Sequence, residues 1–227
     1  MSETVGIAHY WAQGDEITHA VAYLLLAMSF LSWYFILSKA WTALRMRQSA
    51  GALEAFWKAP SLDDAVKLLS SVDRENVYTP LAVHGIEAAN VSGHAGSLNA
   101  ASDPGELITR TLRREITRAT SRLEGGLTIL ASVGATAPFV GLLGTVWGIY
   151  HALAAVSLAG TVQIDKVAGP VGESLIMTAL GLTVAIPAVL AYNAFTRVNR
   201  VTLAELDAFA HDIHAHLTTG ARVGKSS

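Results

Sequence analysis

The amino-acid sequence predicts an all-α membrane protein with three transmembrane helices, and three observations carry that prediction. The chain of 227 residues is 52% apolar and only 15% charged, too little charge to solvate an ordinary soluble domain of that size. The charge is also unevenly placed: Gly125 to Ile164 is a run of 40 residues, and Ile17 to Leu37 one of 21, without Asp, Glu, Lys or Arg. Ser174 to Thr196 adds a third uncharged run, of 23 residues. Each meets the roughly 18–20 residues that a helix rising about 1.5 Å per residue needs to cross about 30 Å of hydrocarbon.

Taken in order, residues 1–16 are expected to be a short outer N-terminus and 17–38 the first span. That span is bulky and aromatic, with Tyr23, Phe30, Trp33, Tyr34 and Phe35, as suits a helix facing lipid. No Lys or Arg precedes it, so the basic n-region of a cleaved signal peptide is missing and the span is expected to stay in the mature chain. Residues 39–126 are too many for a connector and form a helical domain. Its last helix is announced by Asp103, Pro104 and Glu106: an acidic N-cap, a proline at the first helical position and a glutamate placed to close a capping box. Ile108, Leu112, Ile116, Ala119 and Leu123 then recur at three- and four-residue spacing, with Arg110, Arg113, Arg114, Arg118 and Arg122 on other faces. This helix runs toward the membrane and either continues into the second span, 127–150, with little interruption or hinges at Gly125 and Gly126. Ser92 to Asp103 reads as the loop before it. A loop at 151–172, a third span at 173–196 and a tail at 197–227 complete the chain.

Basic residues orient it. Fifteen of the 16 Lys and Arg residues fall between the first and second spans or beyond the third, and only Lys166 falls on the other side. The positive-inside rule therefore places the N-terminus outside, and the 39–126 domain and the C-terminus inside, on the cytoplasmic side. The second and third spans are rich in small residues. Gly134, Gly141 and Gly148 repeat every seven residues, Gly144 and Gly148 form GxxxG, and Gly181 lies in the third span; such faces let backbones approach closely. Two small-residue faces and a polar lumen exceed what one 24 kDa chain can bury, which predicts a homo-oligomer. Pro138 and Pro187 are expected to kink their helices.

A net charge of −2 excludes a generally basic nucleic-acid binder, and the absence of cysteine removes thiolate nucleophiles and Cys-based metal sites. Glu173 is the most informative single residue. A carboxylate at a span either faces water or a bundle interior, or caps the outer end of its helix, and both readings stand open. Thr145 and Thr178 either line a hydrated lumen or bond their own helix one turn back. His19 is read as a packed neutral imidazole. His211, His214 and His216 are read as a solvated tail in preference to a metal site. GARVGKSS fails as a phosphate loop, because its first glycine is one position too close and no helix follows. The arginines before the second span are most simply the positive-inside signal, with contact to acidic lipid or a partner's acidic segment as the alternative. No Ser-His-Asp, paired-carboxylate or zinc constellation emerges, so an enzyme, a metal and a cofactor are not expected.

Thr136 to Ile149, TAPFVGLLGTVWGI, and Gly169 to Asn193, GPVGESLIMTALGLTVAIPAVLAYN, resemble the MotA/TolQ/ExbB proton-channel family. The likeness is good from about Ile108 to Asn193, and Thr136 to Phe139 lies closer to the ExbB branch than to the TolQ branch. The resemblance implies a pentamer whose second and third spans, extended into the cytoplasmic helical domain, enclose a pore. That pore holds a dimer of a single-span, ExbD-like or TolR-like partner with an essential aspartate. Proton passage there drives a TonB-like or TolA-like protein that spans the periplasm. It also implies that Thr145, Glu173 and Thr178 occupy polar lumen positions. Gly169-Pro170 departs from the Pro-Gly of related sequences. A three-span permease would need internal repeats, and a scaffold whose spans only pack would tolerate apolar replacements at all three polar positions.

Overall fold

The structure is a computed structural model that describes residues 15–92, 104–159 and 164–220. Its described residues form six helices: α1 (Glu16–Lys58), α2 (Leu62–Val72), α3 (Thr79–Ser92), α4 (Pro104–Glu124), α5 (Leu127–Ala159) and α6 (Ile164–Thr219). Three segments, Glu16–Met46, Gly105–Ser157 and Gly169–Thr219, are long and apolar enough to cross a membrane. The chain divides into two compact units, Met1–Leu37 with Gly126–Ala194, and Ser38–Gly125 with Phe195–Ser227. The Ser92–Asp103 loop, the Asp103 cap and the 1–14 terminus fall outside the described residues, apart from Ser92 itself, the last residue of α3.

The first unit holds the apolar helices. Phe30, Tyr34, Phe139 and Leu190 are each more than 60% exposed, which only a non-aqueous surround or another protein surface makes tolerable. α5 runs unbroken through Pro138, and α6 through Pro170 and Pro187; neighbouring helices and a local shift in hydrogen bonding make an intramembrane proline acceptable.

The second unit is a set of helices packed around an apolar core. Met46, Phe56, Leu69, Tyr78, Leu81, Leu112, Leu206 and Phe209 are buried together. α2 starts at Ser61, whose hydroxyl accepts from the Asp64 amide at 3.2 Å, satisfying one of the orphan donors of a first turn. Asp73 closes α2 and opens α3. Only 2% exposed, it accepts from the amides of Val77 (3.1 Å), Tyr78 (2.8 Å) and Thr79 (2.8 Å) and from the Thr79 hydroxyl (3.0 Å). Burial, and then the nearby carboxylates of Glu205 and Asp73, push the Tyr78 phenol above its usual range.

At the junction before the second span the structure takes the hinge at the two glycines, and further on one expectation, the C-terminal tail, is corrected. α4 and α5 are separate helices: the chain breaks at Gly125 and Gly126, and Gly126 takes φ +82°, a conformation that glycine adopts without steric cost. A Cβ at that position would also collide with the ring of Phe35. The supposed C-terminal tail is helical as far as Thr219, with Leu206, Phe209, Ala210 and Ile213 buried. His216 sets its ring edge-on to Trp57, 5.9 Å between centroids, so this histidine belongs to a packed helix.

Candidate functional site

The site is built where α5 and α6 touch. Sequence places small residues along one face of α5, and the structure shows what each admits. A Cβ on Gly134 would strike Val189, one on Gly144 would meet Met177 and Val21, and one on Gly148 would strike Ser174. Gly141 and Gly181 face each other, so that a Cβ on either would fall against the backbone of the opposite helix. Side-chain-free contacts of this kind bring two helix backbones into van der Waals range, where packing, in the absence of a hydrophobic drive, supplies the attraction.

Within this seam sits a polar node. Thr145, only 5% exposed, places its Oγ1 3.2 Å from the Gly141 carbonyl oxygen, 3.1 Å from the Ser174 carbonyl oxygen and 2.6 Å from Thr178 Oγ1. The hydroxyl carries one proton and two lone pairs, so it donates to one of these oxygens at a time. When Thr178 donates to it, Thr145 remains free to choose between its own helix and α6. Both threonines are thereby brought together across 33 residues of sequence. The local back-bond to Gly141 one turn earlier is present as well.

Glu173 is placed by its backbone, nine residues inside α6, which begins at Ile164. It therefore does not occupy the N-cap of its helix, and the capping reading fails for that reason. Its neighbour Ser174, which sequence reasoning passed over, is 4% exposed, donates to the Pro170 carbonyl oxygen at 2.7 Å and offers its own carbonyl to Thr145. The signal available was its spacing, four residues before Thr178 and so on the same helical face.

Two residues beyond Thr145 a second polar contact ties α5 to α1. Asp15, the residue before α1, accepts from the Thr18 amide (2.9 Å) and from the Trp147 indole N–H (2.5 Å), and lies 3.2 Å from His151 Nδ1. Burial works to raise the Asp15 carboxyl pKa, but the hydrogen bonds from Thr18 and Trp147 and the charge of His151 outweigh it, leaving the group below its ordinary range. Of the five arginines on α4, Arg118 donates to Glu115 at 2.5 Å. Arg110, Arg113, Arg114 and Arg122 make no ion pair among the described residues.

Comparison with known proteins follows from this arrangement. Residues 75–208 match the MotA/TolQ/ExbB proton channel family. The chain is 44% identical over 216 residues to the biopolymer transport protein ExbB of Xanthomonas campestris pv. campestris (strain B100), covering 92% of this chain and 85% of that one. It is 40% identical over 207 residues to the biopolymer transport protein ExbB of Neisseria meningitidis serogroup A (strain Z2491), covering 90% and 93%. The Tol-Pal system protein TolQ of Pseudomonas aeruginosa is 32% identical over 213 residues, covering 88% and 87%. The matched region runs from the helical second unit through the seam and its threonine node, and with these identities over most of the chain it places the protein in one group: the chain belongs to the MotA/TolQ/ExbB proton channel family.

Proposed function

We propose that the chain is the ExbB-type, pore-forming stator subunit of a proton-driven inner-membrane complex that energises TonB-dependent transport across the outer membrane. The ExbB relatives, at 40% and 44% identity, stand above the TolQ relative at 32%, which favours this role over a TolQ-type one driving TolA. The observation that carries the mechanism is the Thr145–Thr178 hydroxyl pair, set in a seam of glycines between two apolar helices.

Five copies would close α5 and α6 around a lumen, with the N-terminus in the periplasm and the second unit in the cytoplasm. An ExbD-like dimer would fill that lumen. A threonine hydroxyl does not titrate at neutral pH, so the partner's aspartate supplies the protonatable group and the chain supplies a wall that hydrates it. Thr145 suits that task because its single proton has three acceptors within 3.2 Å; it can change partners by rotation, without breaking the helix. Glu173, the residue before Ser174 on α6, is the further polar position of that wall by family likeness. The glycine contacts keep the wall stiff while the partner moves.

The test replaces Thr145 by Val and Glu173 by Gln, separately, in cells that depend on TonB-driven uptake, and measures assembly by native electrophoresis alongside uptake. Loss of uptake with the oligomer intact supports the reading. Normal uptake in both variants would leave the node a packing feature and overturn it.

A further inference from the structure

We propose that the groove between α3 and α4 in the second unit is a headgroup site for an anionic phospholipid, whose phosphodiester is held by Arg118 and Arg122. The groove has a volume of about 520 Å³ and is lined by residues that include Pro80, His84, Glu115, Arg118, Ser121 and Arg122. Its floor carries a carboxylate that the transport mechanism does not use: Glu115 is 6% exposed. That carboxylate accepts from Arg118 Nη1 at 2.5 Å. His84 Nδ1 lies 3.2 Å from the same oxygen but has no hydrogen-bond partner, although the atom is buried.

The arrangement fixes one guanidinium and leaves the next unneutralised. Glu115 sits one turn below Arg118 and holds it over the groove, spending the only acidic charge of the lining on one of two arginines. Arg122 follows one turn later on the same face and has no acidic partner among the described residues. Arg118 and Arg122 stand four residues apart on one face, about 6 Å of helix rise, and two guanidiniums so placed can hold a phosphodiester between them as paired planar donors. Thr117 and Ser121 line the same wall, with their hydroxyl protons committed to the Arg113 and Thr117 carbonyl oxygens. The remaining wall, with Pro80 and the arginine methylenes, is apolar and suits the glycerol and first acyl carbons of a lipid better than a hydrated free anion.

Chain length supplies the reason for a lipid source. Arg122 precedes Leu127, the first residue of α5, by five positions, so no arrangement of the chain separates them by more than about 18 Å. That tethers Arg122 to the start of the membrane segment, the side on which lipid headgroups and their surface charge are met. The inference depends on α5 entering the membrane and not on any role in transport, and the assay below reads lipid contact alone.

The test uses the full-length protein in phosphatidylcholine nanodiscs with spin-labelled phosphatidylglycerol as probe, compared with spin-labelled phosphatidylcholine. The parent protein should prefer the anionic probe. Arg118→Gln with Arg122→Gln should reduce that preference about fivefold or more. Arg110→Gln with Arg113→Gln removes the same charge from the same helix outside this lining and should leave most of it. Arg122→Gln alone, which spares the Arg118–Glu115 pair, should give an intermediate loss and guards against misfolding of the double variant. Equal losses in the two double variants would reduce the effect to diffuse surface charge and overturn the site. So would a parent with no preference, displacement of the probe by millimolar inorganic phosphate, or displacement by a poly-glutamate peptide.

Discussion

Gly141 and Gly181 meet backbone to backbone: a Cβ on Gly141 would lie 3.1 Å from Gly181 Cα, and one on Gly181 would lie 2.6 Å from the Ala137 carbonyl oxygen. Neither obstacle is the end of a flexible side chain, so a methyl group at either position must push α5 and α6 apart. At Gly134 the nearest atom is a side-chain methyl of Val189; a β-branched side chain in a helix keeps to one main rotamer, but it yields by a shift of one side chain where the other two sites need a backbone to move. Gly141→Ala and Gly181→Ala are each expected to cost about 1–3 kcal/mol, the usual range for overpacking, and Gly134→Ala less. Thermal unfolding of the three variants in one detergent ranks them; a Gly134 variant as unstable as the others would contradict this account of the seam.

The node in that seam makes a quantitative prediction. Thr145→Val and Thr178→Val each remove one hydroxyl from a pair 2.6 Å apart; the first takes away the Thr145 partner of Thr178 Oγ1, and the second leaves Thr145 its two carbonyl acceptors but not the Thr178 hydroxyl. The double variant leaves neither oxygen behind. The two losses should therefore not add: a coupling of roughly 0.5–1.5 kcal/mol is expected, within the range of hydrogen bonds between membrane helices. A double-mutant cycle of unfolding free energies measures it, and strict additivity would mean that the hydroxyls do not interact.

Asp15 sets an acid limit on the α1–α5 contact. Its carboxyl lies below the ordinary range in the folded chain, so the unfolded state binds the proton first as pH falls. The stabilisation is then complete above the unfolded value, about 3.9, and is lost as pH drops through the lower folded value. Asp15→Asn keeps an N-cap acceptor but not the charge facing His151. The parent should be the more stable protein from pH 7 down to about 5 and should lose its advantage below pH 4. Unfolding curves of both proteins over that range test the sign, and a gap that widens in acid would refute it.

How far these features could be read in advance follows from their range along the chain. Gly134, Gly141 and Gly148 advertise a packing face because the signal lies within one helix, at a spacing that a single segment carries. The Thr145–Thr178 pair was not legible in the same way, since it depends on the register between two helices, which no local pattern fixes. Asp15 and Trp147, 132 residues apart, were readable only as an acid and as an interfacial aromatic. The helical end of α6 was misread for another reason. His211, His214 and His216 gave it a polar look, while Leu203, Leu206, Ala210, Ile213 and Leu217, recurring at three- and four-residue spacing, already marked a buried face.

The break after α4 depends on a carbonyl that two helices share. Helix ends leave their last carbonyls without intrahelical partners, and here the Leu123 carbonyl oxygen accepts from Lys39 Nζ at 2.8 Å and from Asn199 Nδ2 at 2.8 Å. Leu123 is 5% exposed and Asn199 8%, so water has little access to replace either donor. A carbonyl has two lone pairs, and one bond is enough to offset most of its desolvation. Lys39→Met or Asn199→Leu alone should then cost little, about 1 kcal/mol, because the other donor remains. Together they leave a buried acceptor unpaired, and the pair should cost about 1–3 kcal/mol beyond the sum of the single losses. The expected signature is this excess over additivity, read from chemical unfolding of the four proteins. If the losses merely summed, the two donors would be acting separately and the shared carbonyl would not be what holds the end of α4 against α1 and α6.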